Sequence, residues 1–172
     1  LDVRLLEAAP GTDALEAVLG GRAQYGVGTS SLMLARKAGR PVVVLAVIFQ
    51  HSPLVLVARR EGAARGIEGV HDLAGKRVMI EPQSDEMLAY LKREGITPER
   101  FVGVKHSFDP RDLIEGRVDA MSAYVSNEIF QLDRAGLAYQ VYSPRSAGID
   151  FYGDNLFTTE QELKDRPDRV RA

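Results

Sequence analysis

The chain has 172 residues, 45% apolar and 27% charged, and a net charge of −2 from 22 Lys and Arg against 24 Asp and Glu. That length suits one domain or two small lobes, and so balanced a charge argues against a dedicated nucleic-acid binder, which carries a basic excess. The absence of Cys excludes a disulfide framework, a thiolate zinc site and a Cys nucleophile, and three His (His51, His71, His106) are a poor basis for a metal centre. Residues 3–8 read as a short apolar strand, though Arg4 and Glu7 interrupt the opening too early for a signal peptide. Gly11-Thr12-Asp13 then offers a turn and an N-cap. Ala14, Leu15, Val18 and Leu19 follow at amphipathic helical spacing, stopped by Gly20-Gly21. Residues 23–28 are a second strand. Thr29-Ser30-Ser31 caps a helix over 32–38, ended by Gly39. Residues 41–49 (PVVVLAVIF) form the longest apolar run, far short of the roughly 20 residues that span a membrane. Rich in β-branched residues, the run predicts a strand buried on both faces. After Gln50-His51-Ser52-Pro53, residues 54–58 resume as strand. The first third is thus β-α-β-α-β, the pattern of an open, mostly parallel sheet.

Residues 59–69, with Gly62, Gly66 and Gly69, read as a linker or crossover. A second α/β unit follows. It has strands at 76–80, 101–105, 118–124 and 139–143. Its helices cover 85–94, 109–115 and 128–135, and Gly95, Gly116 and Gly136 stop them. Ser126-Asn127 is placed to cap the last helix. The tail from Asp154 is polar and ends in a helix from Thr159. A weak internal repeat links the halves: residues 15–26 and 113–120 each run from a helix end through Gly-Arg into a strand.

In open α/β sheets, ligands sit outside the carboxyl ends of strands, often at helix N-termini. Five short polar groups fall there: Thr29-Ser30-Ser31, Gln50-His51-Ser52, Gln83-Ser84-Asp85, Ser107-Phe108-Asp109, and Tyr124 with Ser126-Asn127-Glu128. Capping alone explains any one of them. Five on one edge point to a small-molecule cleft. In the last group an aromatic leaves a buried strand, then an amide and a carboxylate open a helix. Glu128 reads either as a first-turn Glu or as the acceptor for a ligand amine or ring N–H. Phe108 and Tyr152 could supply faces for a flat ligand, or simply core packing. An enzyme is harder to support. His51-Ser52 with Asp85 or Asp109 makes a triad only on paper, without a G-x-S-x-G elbow. Gly26-Val27-Gly28-Thr29-Ser30-Ser31 lacks the Gly-Lys-Ser/Thr ending of a phosphate loop. The acidic pairs Asp85-Glu86 and Asp109/Asp112 read as solvated helix faces.

Five stretches carry a family resemblance: Leu1-Asp2-Val3, Gly26-Val27-Gly28, Asp72-Leu73-Ala74-Gly75-Lys76-Arg77-Val78, Tyr124-Val125-Ser126-Asn127-Glu128, and Tyr152-Gly153-Asp154-Asn155-Leu156-Phe157-Thr158-Thr159. The chain resembles the thiamine-pyrimidine-precursor type of periplasmic substrate-binding domain, which is similar to the yeast pyrimidine synthases of thiamine biosynthesis. The resemblance implies an α/β, two-lobed type II periplasmic-binding-protein fold with an interlobe ligand cleft. It implies lobe 1 over 1–60, a crossover at 61–69, lobe 2 over 70–145, and a return crossover with a C-terminal helix over 146–172. By position it places Ser30, Gln50, Ser84, Tyr124, Asn127, Glu128 and Asp154 at the cleft. Relatives continue beyond both ends, so the resemblance implies a domain truncated at both ends.

The implied function is non-catalytic binding of a small polar or heterocyclic ligand, such as an aminopyrimidine, without a cofactor. The partners implied are a membrane permease, or the output domain of a signalling protein in the same chain, and the implied location is periplasmic or extracytoplasmic. The alternative is an iron-dependent pyrimidine-precursor synthase. The yeast enzymes use a His and iron, and their Cys-rich segment has no counterpart in this Cys-free chain.

Overall fold

The most deeply buried strand is Leu54-Val55-Leu56-Val57-Ala58, whose side chains are all shielded from solvent. Alternate residues of a strand point to opposite faces. Leu54, Leu56 and Ala58 therefore enter one core and Val55 and Val57 another. The structure is a computed structural model and describes residues 2–7, 12–60 and 67–172.

In chain order the described helices and strands are α1 (Ala14–Leu19), β1 (Gly26–Gly28), α2 (Ser31–Lys37), β2 (Val42–Phe49) and β3 (Leu54–Arg59). Next come β4 (Arg77–Met79), α3 (Asp85–Arg93), β5 (Val102–Val104), α4 (Arg111–Ile114), β6 (Ala120–Tyr124) and α5 (Glu128–Arg134). The chain closes with β7 (Tyr139–Tyr142), β8 (Gly153–Thr159), α6 (Glu160–Asp165) and α7 (Pro167–Arg171). Two compact units result: Leu1–Gln50 with Tyr152–Ala172, and His51–Phe151.

The first unit holds a three-stranded sheet in the order β1-β8-β2, with β8 antiparallel to both neighbours. Its core is Val18 of α1, Leu32 of α2, Val42 and the fully buried Phe157. Asp13 caps α1 as expected, its carboxylate accepting from the Leu15 and Glu16 N–H groups. Several expectations change here. Residues 3–7 form no strand; residue 8 lies outside the described residues. The tail from Asp154, read as polar, begins inside β8, the middle strand of the sheet, and the helix after Thr159 is present as α6. The strand over 41–49 is not buried on both faces: burial alternates along β2, and Val44 and Ile48 are exposed.

The second unit holds a five-stranded sheet in the order β5-β4-β6-β3-β7. β4 runs parallel to β5 and β6, whereas β3 is antiparallel to β6 and β7. The sheet is mixed, not mostly parallel, because β3 enters against the direction of the others. Leu54–Arg59 was assigned to the first lobe; its pairing with β6 and β7 places it in this unit. Met87, Tyr90 and Leu91 of α3 pack on one face, and Leu113 of α4 with Leu132 of α5 pack on the other. Burying one Leu such as Leu56 stabilises by about 1.5–3 kcal/mol. Of the expected linker, residues 61–66 lie outside the described residues.

Both halves of the internal repeat end their helix with the same stop, which Gly39, Gly95 and Gly136 also use. Gly21 and Gly116 both adopt left-handed φ (73° and 74°). The Gly21 N–H donates to Val18 O and the Arg22 N–H to Ala17 O; the Gly116 N–H donates to Leu113 O and the Arg117 N–H to Asp112 O. This is the Schellman arrangement, which satisfies the last helical carbonyls and needs a residue without Cβ strain at its turn.

Candidate functional site

The register of each sheet decides which expected residues share an edge. In the first unit, Gly28 pairs with Asn155 and Phe49 with Gly153. The carboxyl ends of β1 and β2 therefore meet the amino end of β8, and this edge carries Ser30, Gln50, Tyr152 and Asp154. Ser30 is buried and opens α2, but its hydroxyl does not cap; the Ser31 N–H donates instead to Thr29 Oγ1 at 3.3 Å. Gln50 and Tyr152 are exposed. Asp154 is half-buried with φ +46°. Below it, Asn155 Nδ2 donates to Gly28 O at 3.3 Å and ties β8 to β1.

In the second unit, the carboxyl ends of β4, β5 and β6 meet the amino end of β3, since Leu54 pairs with Tyr124. Ser84, Phe108, Tyr124, Asn127 and Glu128 lie on this edge. Ser84 opens α3 without a capping bond. It is only 3% exposed, and its Oγ has no hydrogen-bond partner. A buried hydroxyl left unpaired is uncommon enough to need an explanation. Glu128 opens α5. Its carboxylate accepts from the Tyr124 N–H at 2.8 Å and from Asn127 Nδ2 at 2.9 Å. Asn127 was expected to cap α5; its side chain makes no capping bond and orients the neighbouring carboxylate instead.

Phe108 has φ +60° and Gln83 φ +62°. A bulky side chain in the left-handed region is a genuine outlier, and such strain gathers at functional sites. Phe108 stays 49% exposed, too open for core packing. Its backbone N–H donates to His106 Nδ1 at 3.0 Å, and its ring lies 4.5 Å from the imidazole, tilted by 56°. His106 Nε2 lies 3.2 Å from Ser122 O. An acceptor at Nδ1 and a carbonyl at Nε2 define one neutral tautomer, with the proton on Nε2. Burial pushes the His106 pKa below the ordinary histidine value; the Ser122 carbonyl and the charges of Glu128 and Asp112 oppose that. Phe108 thus packs on a buried imidazole, and the charge of Glu128, on the same edge, acts on that ring.

Two members of this edge escaped sequence reasoning. His106 belongs to no periodic pattern; its one signal was its place two residues before Phe108. Glu86 was read with Asp85 as a solvated face, but it is only 5% exposed and accepts a hydrogen bond from Ser52 Oγ. Its first-turn position on α3 turns it toward the chain entering β3. This pairing also dissolves the paper triad, because His51 Nδ1 contacts the Asp150 carboxylate at 2.9 Å, not Ser52. Asp109 and Asp112 bind Arg111 and Arg117, and the Arg111 guanidinium holds Asp109 at about 2. Among the described residues, no three His, Asp or Glu side chains gather as a metal site. No described helix is long and apolar enough to cross a membrane.

Comparison with solved structures gives the fold. A protein from Bordetella bronchiseptica RB50 matches with a TM-score of 0.76 at 17% identity, over 92% of this chain and 54% of its own. The periplasmic aliphatic sulphonate binding protein SsuA from Escherichia coli matches at 0.62 and 17%, over 91% and 54%. An ABC uptake transporter substrate binding protein from Streptococcus pneumoniae with bound histidine matches at 0.62 and 14%, over 91% and 62%. The chain therefore spans little more than half the length of these structures. The shared fold is the type II periplasmic-binding-protein fold. No curated protein matches the chain. The NMT1/THI5-like family model matches residues 1–172, the whole sequence, and the chain belongs to that family.

Proposed function

We propose that the chain binds a small, flat, polar heterocycle of the aminopyrimidine class and does not transform it. The observation that carries this reading is the edge of the second unit, which holds an exposed aromatic face (Phe108) packed on a buried imidazole and a helix-opening carboxylate (Glu128). A ring can stack on Phe108 while its amino group donates to the carboxylate. The Ser84 hydroxyl on this edge is buried and unpaired, and we assign it to a ring nitrogen or substituent as its missing partner. Ser30, Gln50, Tyr124, Asn127 and Asp154 are proposed as further contacts, as the family resemblance implies, and Tyr152 as a further aromatic face.

The fold supports a binding role. Solved proteins that share it are described as substrate-binding proteins of ABC transporters for sulfonates and amino acids. By that analogy the partner is a membrane permease and the location periplasmic. A sensor domain joined to an output domain is the second form of the same role. The synthase alternative has no observation at the site in its favour.

Native mass spectrometry and thermal unfolding with hydroxymethyl aminopyrimidines, alkanesulfonates and amino acids test the reading. A bound aminopyrimidine at a hundred times its dissociation constant should stabilise the chain by about 2.7 kcal/mol. Stabilisation by sulfonates or amino acids alone would show the ligand class to be wrong. Conversion of the pyrimidine in the presence of ferrous iron would overturn the non-catalytic reading.

A further inference from the structure

We infer that neutral His106 is a positioning residue: it clamps Phe108 in its left-handed conformation, and protonation of the ring releases that aromatic face and weakens ligand binding. The binding part rests on the proposed heterocycle site; the clamp does not. Three features of the geometry argue for the clamp. First, a left-handed Phe is held against its own preference and needs a compensating contact. The Phe108 N–H bond to His106 Nδ1 at 3.0 Å supplies one, and the ring contact at 4.5 Å supplies a second.

Second, the loop on either side is fixed by other groups. Ser107 Oγ donates to Asp112 Oδ2 at 2.5 Å and accepts from the Asp109 N–H at 3.2 Å. The aromatic is therefore the part free to respond. Third, His106 is only 7% exposed and both of its ring nitrogens are engaged. A second proton can go only to Nδ1. That nitrogen would then be a donor facing the Phe108 donor, and the bond would be lost.

The charged groups whose fields reach the imidazole are Glu128 at the head of α5 and Asp112 in α4, and both favour its charged form. Burial outweighs them and pushes the His106 pKa down. The clamp is therefore complete at neutral pH. It is lost only as the pH falls through a value below the ordinary histidine range.

NMR on the full chain tests this directly. Long-range proton–nitrogen spectra should show His106 as the Nε2–H tautomer at neutral pH. On titration from about pH 8 downwards until the His106 ring is charged, the Phe108 amide should move with the His106 midpoint. Over the same range, affinity for a hydroxymethyl aminopyrimidine should fall about fivefold, the worth of one aromatic contact. In His106→Gln, which can still accept from the Phe108 N–H but does not titrate, both responses should be flat. A Phe108 amide unmoved through the His106 titration, an Nδ1–H tautomer, or a full pH response surviving in His106→Gln would each overturn the clamp. If the Gln variant does not fold, the wild-type titration decides alone. If the Phe108 amide follows His106 while no pyrimidine binds at any pH, the clamp stands and the heterocycle site falls.

Discussion

Phe157→Ala should cost about 3–5 kcal/mol of stability, the range for deleting a buried aromatic ring. Phe157 is fully buried at the centre of a small core with Val18, Leu32 and Val42. So small a core has few neighbours that can collapse into the cavity. The ring also explains a glycine. A Cβ on Gly26 would lie 2.6 Å from the Phe157 ring and 3.0 Å from Val18. Gly26→Ala alone should therefore cost about 1–3 kcal/mol by overpacking. Combined with Phe157→Leu it should cost less than the sum of the two, because the sites share one space. Urea unfolding followed through the methyl signals of Val18 and Leu32 measures all of these. A loss below about 1 kcal/mol for Phe157→Ala would mean that the first unit does not depend on this core.

Glu128→Ala should reduce aminopyrimidine affinity about thirtyfold. A hydrogen bond to a charged group contributes about 1.5–3 kcal/mol. Glu128→Gln should lose less. It keeps an acceptor for the Tyr124 N–H, which donates to Glu128 Oε2 at 2.8 Å, but gives up the charge. Titration calorimetry beside a melting curve separates the two roles. Affinity lost without a matching loss of stability marks a ligand acceptor. Wild-type affinity in both variants would reduce Glu128 to a strut that orders the turn after β6.

The elements were legible wherever local chemistry decides them. Asp13 caps α1, Gly21 and Gly116 stop their helices, and Thr159 opens α6, because each acts within a few residues of itself. The α/β class and the family resemblance were legible for the same reason, as both rest on contiguous stretches. Burial was not. The run 41–49 looked like the twice-buried strand, but 54–58 fills that role. Apolar content marks a strand as able to be buried. Its neighbours in the sheet decide whether it is.

The sheet pairing and the site depend on contacts distant in sequence. Gly153–Thr159 is polar enough to pass for a tail, yet it becomes the centre of a sheet because β1 and β2 offer it two edges. Glu86 is buried because Ser52, 34 residues away, meets it. His106 borders the candidate site because Ser122, 16 residues on, offers a carbonyl at the depth its Nε2 reaches. By itself the sequence determined most of the helices and what stops them, and which family they make. The tertiary structure alone decided which side chains lose water and which nitrogen of His106 holds its proton. Those outcomes depend on partners that the chain brings together only by folding.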